Sequence, residues 1–392
     1  MRPRAEPLPV DAAVRTAADP LAVRRAALWG LLLAKLIGGW GVQWDIQWHV
    51  LIGRDSFWIA PHVMTYAGVT LSVLVSFGVL AWETWRNRVT ARGAARMDAV
   101  RVVGLAGTPG FHLAAWGIAV TVLAAPVDDL WHRLFGLDVT LWSPPHLMGI
   151  FGSAVNALAC LVIAREAYSS GSRMRLAAIL LGGALLAGTL YLVLQPSFRI
   201  AYVHGGVRFF TYPVLAALLL PLALVTAARL SGRRWAPLGL LLVLFPVGIA
   251  GGAIARAGFA WLQPVSVIEE EIAKDPTSPI ALATAIARKN RTQPGQLGGP
   301  GVYALIPAAV MVLVDARRRP VAASLGYAAT LFAVSGWLMA RLPAFQPVVP
   351  SPPEALLALG VTLVAAGLGG LAASRLADAL MPSAMENPQT AR

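Results

Sequence analysis

Residues 176–196 read LAAILLGGALLAGTLYLVLQP, without a single charged side chain. About 20 apolar residues in a helix cross the hydrocarbon core of a bilayer, which is about 30 Å thick. Runs of this kind cover most of the 392 residues, of which 57% are hydrophobic and 13% are charged. The pattern predicts an all-α integral membrane protein, surrounded by the lipid bilayer, and argues against a soluble fold.

The apolar runs predict about ten transmembrane helices, over residues 26–49, 61–82, 103–127, 146–165, 176–196, 211–229, 236–258, 300–315, 321–341 and 354–375. Around them we distinguish an N-terminal segment (1–25), a first hairpin (26–82), a second hairpin (103–165), further helices (176–258), a long loop (259–299), C-terminal helices (300–375) and a tail (376–392). The acidic, basic and Ala-rich stretches of the long loop predict either a short helix, a docking surface for other subunits, or a solvated loop.

Arginines account for most of the formal net charge of +13, and they cluster in the short segments between apolar runs. Nucleic-acid binding would need a basic stripe or patch, which this distribution does not provide, so nucleic acid is not an expected partner. Because cytoplasmic loops are enriched in Lys and Arg, these segments and both termini are predicted to be cytoplasmic, in a bacterial plasma membrane. The alternate connections, among them the long loop, are then predicted to face outward.

Two outward connections have closely similar sequences, 45-DIQWHVLIGRDSFWIAPHVMTYAG-68 and 128-DDLWHRLFGLDVTLWSPPHLMGIFG-152. With one inserted residue, the Asp, Trp, His, Gly, Asp, Trp, Pro, His, Met and Gly positions of the first recur in the second. Both stretches join two apolar runs. The sequence therefore predicts an internal two-helix repeat.

Each stretch places one carboxylate and two imidazoles at fixed spacing. Asp45 and His49 are four residues apart and share a helix face, while Pro61 starts the next helix and returns His62 towards them. The second stretch repeats this with Asp128, His132 and His146. Two imidazoles and one carboxylate are typical of sites for copper, zinc or non-haem iron. The alternative is a structural network in which each Asp holds a neighbouring His or Trp N–H and keeps the hairpin closed.

Several other polar residues have two interpretations each. Asp55 and Asp138 are either outer acceptors for a ligating imidazole or helix caps, and Asp129 competes with Asp128. His204 either completes a site, binds an anionic group or is an ordinary loop histidine. Inside apolar runs, Lys35 is expected to have a partner or to be neutral, and His112 is expected to be a core histidine or part of a proton path.

The pattern of Asp45, three residues, His49, twelve residues and His62 resembles the metal-binding motif in the C subunit of the copper membrane monooxygenases, the methane and ammonia monooxygenase family. The resemblance implies copper ligation by these three residues and oxidation of a small hydrophobic or uncharged substrate. It covers about twenty residues. The present chain carries the motif twice, with thirteen residues between His132 and His146.

These observations lead to a first hypothesis of a membrane metalloprotein that binds copper, or alternatively iron or zinc, for oxidative chemistry or electron transfer within a larger complex. A second hypothesis is a transporter or assembly factor for metal or a small substrate, in which Lys35 or His112 carries protons. A haem-binding subunit and a non-catalytic structural subunit are further alternatives.

Overall fold

Helices dominate the computed structural model, which describes residues 19–53, 56–90, 99–135, 140–294 and 301–381. Within these ranges, eight helices are long and apolar enough to cross a membrane. They are Ala60–Val89, Pro109–Phe135, Pro144–Ala167, Arg173–His204, Gly206–Ser231, Ala236–Leu262, Pro320–Met339 and Pro352–Ala379. The chain is therefore an all-α integral membrane protein in its architecture.

The α-helices are α1 (Pro20–Leu51), α2 (Ala60–Thr90), α3 (Pro109–Phe135), α4 (Pro144–Ala167), α5 (Arg173–Leu192), α6 (Ser197–His204), α7 (Thr211–Ser231), α8 (Ala236–Leu262), α9 (Ile268–Lys274), α10 (Pro279–Asn290), α11 (Leu305–Val314), α12 (Pro320–Met339) and α13 (Pro352–Ala379). Short 3₁₀ turns at Gly206–Phe210, Val302–Ala304 and Gln346–Val348 precede α7, α11 and α13, respectively. The long loop predicted at 259–299 thus contains two helices, α9 and α10, and begins while α8 is still helical.

The count of eight spanning helices is lower than the predicted ten, and two predicted spans account for the difference. The run at 26–49 lies in α1, which has 32 residues but is not among the eight. The run at 300–315 forms only a short apolar helix, Val302–Val314. At about 1.5 Å per residue its thirteen residues extend about 20 Å, less than the hydrocarbon thickness.

Several long helices begin at a proline that follows a capping residue. Asp19 precedes Pro20, and its Oδ1 accepts a hydrogen bond from the Leu21 N–H at 3.0 Å. Ser351 precedes Pro352 and forms a reciprocal capping box with Glu354. Proline has no N–H to leave unpaired at the first helical position, and the capping side chain satisfies the N–H groups that follow. These residue pairs set where the apolar runs become helical.

A two-stranded antiparallel hairpin precedes α3, with strands β1 (Val100–Val102) and β2 (Leu105–Gly107). Its turn residues Val103 and Gly104 both have positive φ, 50° and 79°, as two-residue hairpin turns require. The predicted span 103–127 therefore started too early, because the first apolar residues of that run form the hairpin. The helix continues instead to Phe135.

Small residues allow the two helices of each motif hairpin to pack closely. A Cβ on Gly68 of α2 would lie 2.4 Å from the Gly38 nitrogen of α1. A Cβ on Gly152 of α4 would lie 2.6 Å from the Gly117 oxygen of α3. Close backbone approach at small residues is the usual basis of helix pairing in membranes, where lipid removes the hydrophobic driving force.

One end of the bundle, which we call the arginine side, contains the C-terminal ends of α4, α7 and α13 and the starts of α5, α8 and α12. Here arginine side chains donate to main-chain carbonyls of neighbouring segments. Arg165 donates to Leu380 O at 2.7 Å, and Arg229 donates to Ser374 O at 3.0 Å and pairs with Asp378 at 2.6 Å. Arg317 donates to Gly232 O at 2.6 Å. The opposite end, which carries the two motif connections, is called the motif side.

Candidate metal centre

The first candidate set, Asp45, His49 and His62, lies where α1 ends and α2 begins. Asp45 and His49 are one helical turn apart, and the Asp45 Oδ1 lies 3.4 Å from His49 Nδ1. The same oxygen lies 3.1 Å from Nε2 of His62, the third residue of α2. The two imidazole centroids are 6.2 Å apart. The turn between the helices therefore brings all three predicted side chains around one carboxylate oxygen.

The second candidate set, Asp128, His132 and His146, lies where α3 ends and α4 begins. The Asp128 Oδ1 lies 3.6 Å from His132 Nε2 and 3.6 Å from His146 Nε2. Each Asp thus contacts the two histidines of its own hairpin. This arrangement describes two separate candidate centres rather than one shared centre.

A main-chain carbonyl orients the second histidine of each set. His62 Nδ1 lies 3.0 Å from Ser56 O, and His146 Nδ1 lies 2.7 Å from Thr140 O. A carbonyl oxygen only accepts, so we assign the ring proton to Nδ1 in both histidines. In the neutral ring, Nε2 then carries a lone pair that faces the Asp oxygen. Two facing acceptors attract each other only if a proton or a metal ion lies between them.

The two carboxylate oxygens at the centres have imidazole nitrogens as close polar neighbours. Asp45 Oδ1 and Asp128 Oδ1 are buried atoms, and within the described residues neither receives a hydrogen bond of normal geometry. His132 Nε2 is also a buried atom without a hydrogen bond of normal geometry in the described residues. Buried polar atoms are normally satisfied, because an unpaired one costs about 1–3 kcal/mol. The short distances around each Asp fit either a carboxylate paired with a protonated imidazole or two ligands of one ion.

The distances between the candidate ligand atoms suit a shared ion, but the ligand atoms do not all point towards one position. Two ligands about 2.0–2.2 Å from one ion are separated by about 2.8–3.6 Å for right-angle to tetrahedral spreads. Yet among the described residues no group of three His, Cys, Asp or Glu side chains is already arranged to hold a metal ion. His49 illustrates the reason, since its Nδ1 lies 3.0 Å from the Asp45 main-chain oxygen. Its ring would have to rotate to direct a nitrogen at an ion.

Aromatic packing supports the end of α1 that carries the first set. Trp48 stacks on Phe259 of α8 with ring centroids 5.8 Å apart, and Trp44 meets the same ring edge-on at 6.2 Å. Both tryptophans are buried. The helix end that carries the first set is therefore packed against α8.

The segment after α8 also binds the end of α1 through the main chain. Ser266 Oγ donates to Leu51 O at 2.7 Å, and Val267 N donates to Ile52 O at 2.8 Å. These bonds satisfy carbonyl groups that the end of a helix leaves open. Further along, α10 reaches the other part of the motif side, where Asn290 Oδ1 accepts from Ala344 N at 2.9 Å. We call residues 263–290 the outer strap.

The second set has less protein around it. At the end of α3, Leu134 and Phe135 are 65% and 67% exposed. One anchor lies on the α4 side, where Trp142 Nε1 donates to Val193 O at 2.8 Å. Asp129, the alternative to Asp128, instead pairs with Arg133 at 2.8 Å and is largely exposed.

The remaining predicted residues lie elsewhere or outside the description. Asp55 and Asp138 fall outside the described residues. His204 is the exposed last residue of α6, and no contact between it and either set is found in the described part of the chain.

The two intramembrane candidates have identifiable environments. Lys35 Nζ donates to Ser153 O at 2.8 Å and to the Ser153 hydroxyl, so it has the partner that its position requires. His112 is buried near the start of α3, where its Nε2 lies 3.0 Å from Val100 O of the β-hairpin. Each therefore has a structural contact.

Two features of the site could not be read from the sequence. The carbonyls of Ser56 and Thr140 that orient the histidines belong to the main chain, although the two positions are 84 residues apart, as His62 and His146 are. The outer strap lies more than 200 residues away in sequence from the helix end that it binds. The ten recurring positions and the repeated Asp, His and His spacing were the sequence signals for a site at this end of the bundle.

The fold and these two centres define the chain as a polytopic helical membrane protein with paired clusters of one carboxylate and two imidazoles. No family model, curated protein or solved structure matches the chain.

Proposed function

We propose that this membrane protein binds one transition-metal ion in each of its two motif hairpins, through Asp45, His49 and His62 and through Asp128, His132 and His146. One observation carries the proposal: each Asp oxygen faces the lone-pair nitrogen of a histidine whose other nitrogen is held by a carbonyl. Ligating histidines usually donate their second N–H in this way, which fixes the tautomer and the ring orientation. A protonated imidazole is the competing occupant, and it makes the cluster a structural ion pair.

We also propose that the two hairpins are copies of one unit. The ten recurring residue types support this, and so do the paired close approaches of Gly68 to Gly38 and of Gly152 to Gly117. Duplication accounts for two centres with the same residue types and the same carbonyl support. It predicts a stoichiometry of two ions per chain.

Copper is the metal we favour, with iron and zinc as alternatives. The donor set of imidazole and carboxylate suits all three, and the single buried cysteine excludes thiolate-rich sites within one chain. The likeness of the first motif to the copper monooxygenase C subunit selects copper among them. Copper in such a site would supply one-electron redox chemistry and open positions for a small molecule.

The wider function we propose is oxidative chemistry or electron transfer at the motif side, with a small hydrophobic substrate reaching it from the bilayer and with further subunits completing the complex. The arginine side would then be cytoplasmic, with both termini, and the motif side would face outward. In this role, the carboxylates and imidazoles bind and orient the ion, and the tryptophans around the first set exclude water from one side.

The test is metal analysis of the full-length protein purified without chelator, together with single and double variants. We expect two copper ions per chain in the parent, one in His49→Ala, one in His132→Ala and none in the double variant. His204→Ala is the matched control and should retain both. Absence of stoichiometric copper, iron and zinc, with no change in the variants, would leave the ion-pair network as the function of these residues.

Spectroscopy adds an independent arm to the stoichiometry. Bound Cu(II) should give an electron paramagnetic resonance signal with nitrogen couplings. Each single variant should halve the intensity of this signal. A strong Soret band would instead identify haem and contradict the proposed ligand sets.

A further inference from the structure

The short helix α11, with the 3₁₀ turn before it, begins inside the membrane. Its thirteen residues, Val302–Val314, lead directly to Asp315 and Arg317 on the arginine side. A length of about 20 Å leaves the start of this segment about 10 Å below the opposite surface of the hydrocarbon layer. Polar main-chain groups at such depth need hydrogen-bond partners from the protein or from water.

A small cavity lies beside the start of this segment, and tyrosines form its polar wall. Tyr191 of α5, Tyr212 of α7 and Tyr327 of α12 line it together with Ala304. All three tyrosines are buried, and the Tyr303 side chain interacts with that of Tyr212. The rest of the lining is leucine and alanine, with no charged side chain.

The Tyr191 side chain interacts with that of Tyr212 in this cavity. The hydroxyl of Tyr191 is a buried atom, and within the described residues it makes no hydrogen bond of normal geometry, although Tyr212 is close. A phenol that is removed from water normally finds a hydrogen-bond partner. The cavity measures about 20 Å³, enough for a single water molecule, which needs about 10–15 Å³.

The geometry points to a binding site for one ordered water molecule, held by Tyr191 and its neighbouring phenols at the membrane-buried start of α11. The lining excludes ions, because it offers no charge to balance them. It also disfavours a hydrocarbon guest, because that would leave the Tyr191 hydroxyl unsatisfied. A water molecule both donates and accepts, so it complements a ring of phenols, each of which does the same.

The sign of a stability change tests the site. If the Tyr191 hydroxyl is bonded, whether to water or directly to Tyr212, Tyr191→Phe removes that bond and lowers the Tm of the purified protein, and the ordered-water density described below separates the two partners. If the hydroxyl faces an empty cavity, the same change removes an unsatisfied polar group and raises the Tm. Tyr168→Phe is the reference, because its hydroxyl has a known protein partner, accepting from Trp29 Nε1 at 3.1 Å, and its loss should lower the Tm.

An experimental structure at a resolution that shows ordered water provides the direct measurement. We expect a density feature within hydrogen-bond distance of Tyr191 Oη in protein prepared without small organic solutes, and its loss in Tyr191→Phe. Should Tyr191→Phe fail to fold, the feature in the parent and its weakening in Tyr327→Phe decide the question. An empty cavity in the parent would overturn the inference, as would a Tm that rises in Tyr191→Phe.

Discussion

The first and second motif hairpins carry the same three residue types in the same order, but the protein supports them differently. Asp45 lies 3.1 Å from His62, on a helix end bound by the outer strap and packed on Phe259. Asp128 lies 3.6 Å from each histidine, on a helix end whose Leu134 and Phe135 are exposed. Precise sites depend on the shell that holds the ligands. The comparison indicates a tighter first centre and a looser second one.

The largest effect is expected when the central carboxylate is removed. Asp45→Ala should lower copper affinity at the first centre by at least about 100-fold, since loss of an outer-shell partner alone costs about 10–100-fold. Asp128→Ala should do the same at the second centre only. Titration of copper against a competing chelator measures both affinities.

Asp129→Ala is the control for this pair, because Asp129 contacts Arg133 and neither histidine of its hairpin. Unchanged copper affinities in all three variants would show that the carboxylates are not ligands. Equal affinities at the two centres of the parent would remove the proposed difference in support.

Over-packing of the close helix contacts should destabilise the two hairpins equally. Gly68→Ala and Gly152→Ala each place a Cβ within 2.6 Å of main-chain atoms of the facing helix. Each should lower the free energy of unfolding by about 1–3 kcal/mol, as over-packing usually does. Gly39→Ala is the matched control, since its Cβ would have no neighbour within 4 Å. A loss in only one hairpin would argue against a shared packing unit.

A smaller effect is expected from the outer strap. Ser266→Ala removes the hydrogen bond to Leu51 O, which is worth about 1 kcal/mol. If that energy holds the end of α1 in place, copper affinity should fall about fivefold at the first centre and stay constant at the second. Thr277→Ala, in the same strap but bonded to Asp275, should leave both affinities unchanged. An equal decrease in copper affinity at both centres would contradict the prediction that the strap supports only the first centre.

The smallest effect concerns the arginine side and its pH dependence. Hydrogen bonds from Arg317 lower the pKa of Asp315 from 3.8 to about 2. Because the folded-state pKa is depressed, this contact contributes stability above about pH 4, and the contribution is lost as the pH falls towards 2. Asp315→Asn should flatten the stability profile in that window and leave copper binding at pH 7 unchanged. A change in copper binding would link the two ends of the bundle.

The membrane architecture was largely predictable, because apolar runs and proline-led helix starts act locally. The run at 176–196 falls within the span Arg173–His204, whereas the spans predicted to begin at 26 and 354 belong to helices that begin earlier, at Pro20 and Pro352. The β-hairpin was not predicted, because its turn uses Val103 and Gly104 instead of a typical Asn-Gly pair. The run at 300–315 was counted as a membrane span, although its helix, Val302–Val314, has only thirteen residues.

The candidate centres were predictable to the extent that they depend on spacing. Asp45 and His49 meet because four residues make about one helical turn, and His62 joins them because the hairpin is tight. The orientation of the His62 and His146 rings could not be predicted from the sequence, because the acceptors that fix it are the main-chain oxygens of Ser56 and Thr140. The difference in support between the hairpins arises from residues 259–267, whose proximity to α1 depends on the tertiary fold.

The arginine contacts with the last helix have a consequence for biogenesis. Arg165 and Arg229 lie in helices that leave the ribosome long before their acceptors at Leu380 and Ser374 exist. Until α13 is inserted, these guanidinium groups lack the acceptors that they have in the folded protein. These contacts therefore form only once α13 is in place, and a chain truncated before residue 374 would lack both of them.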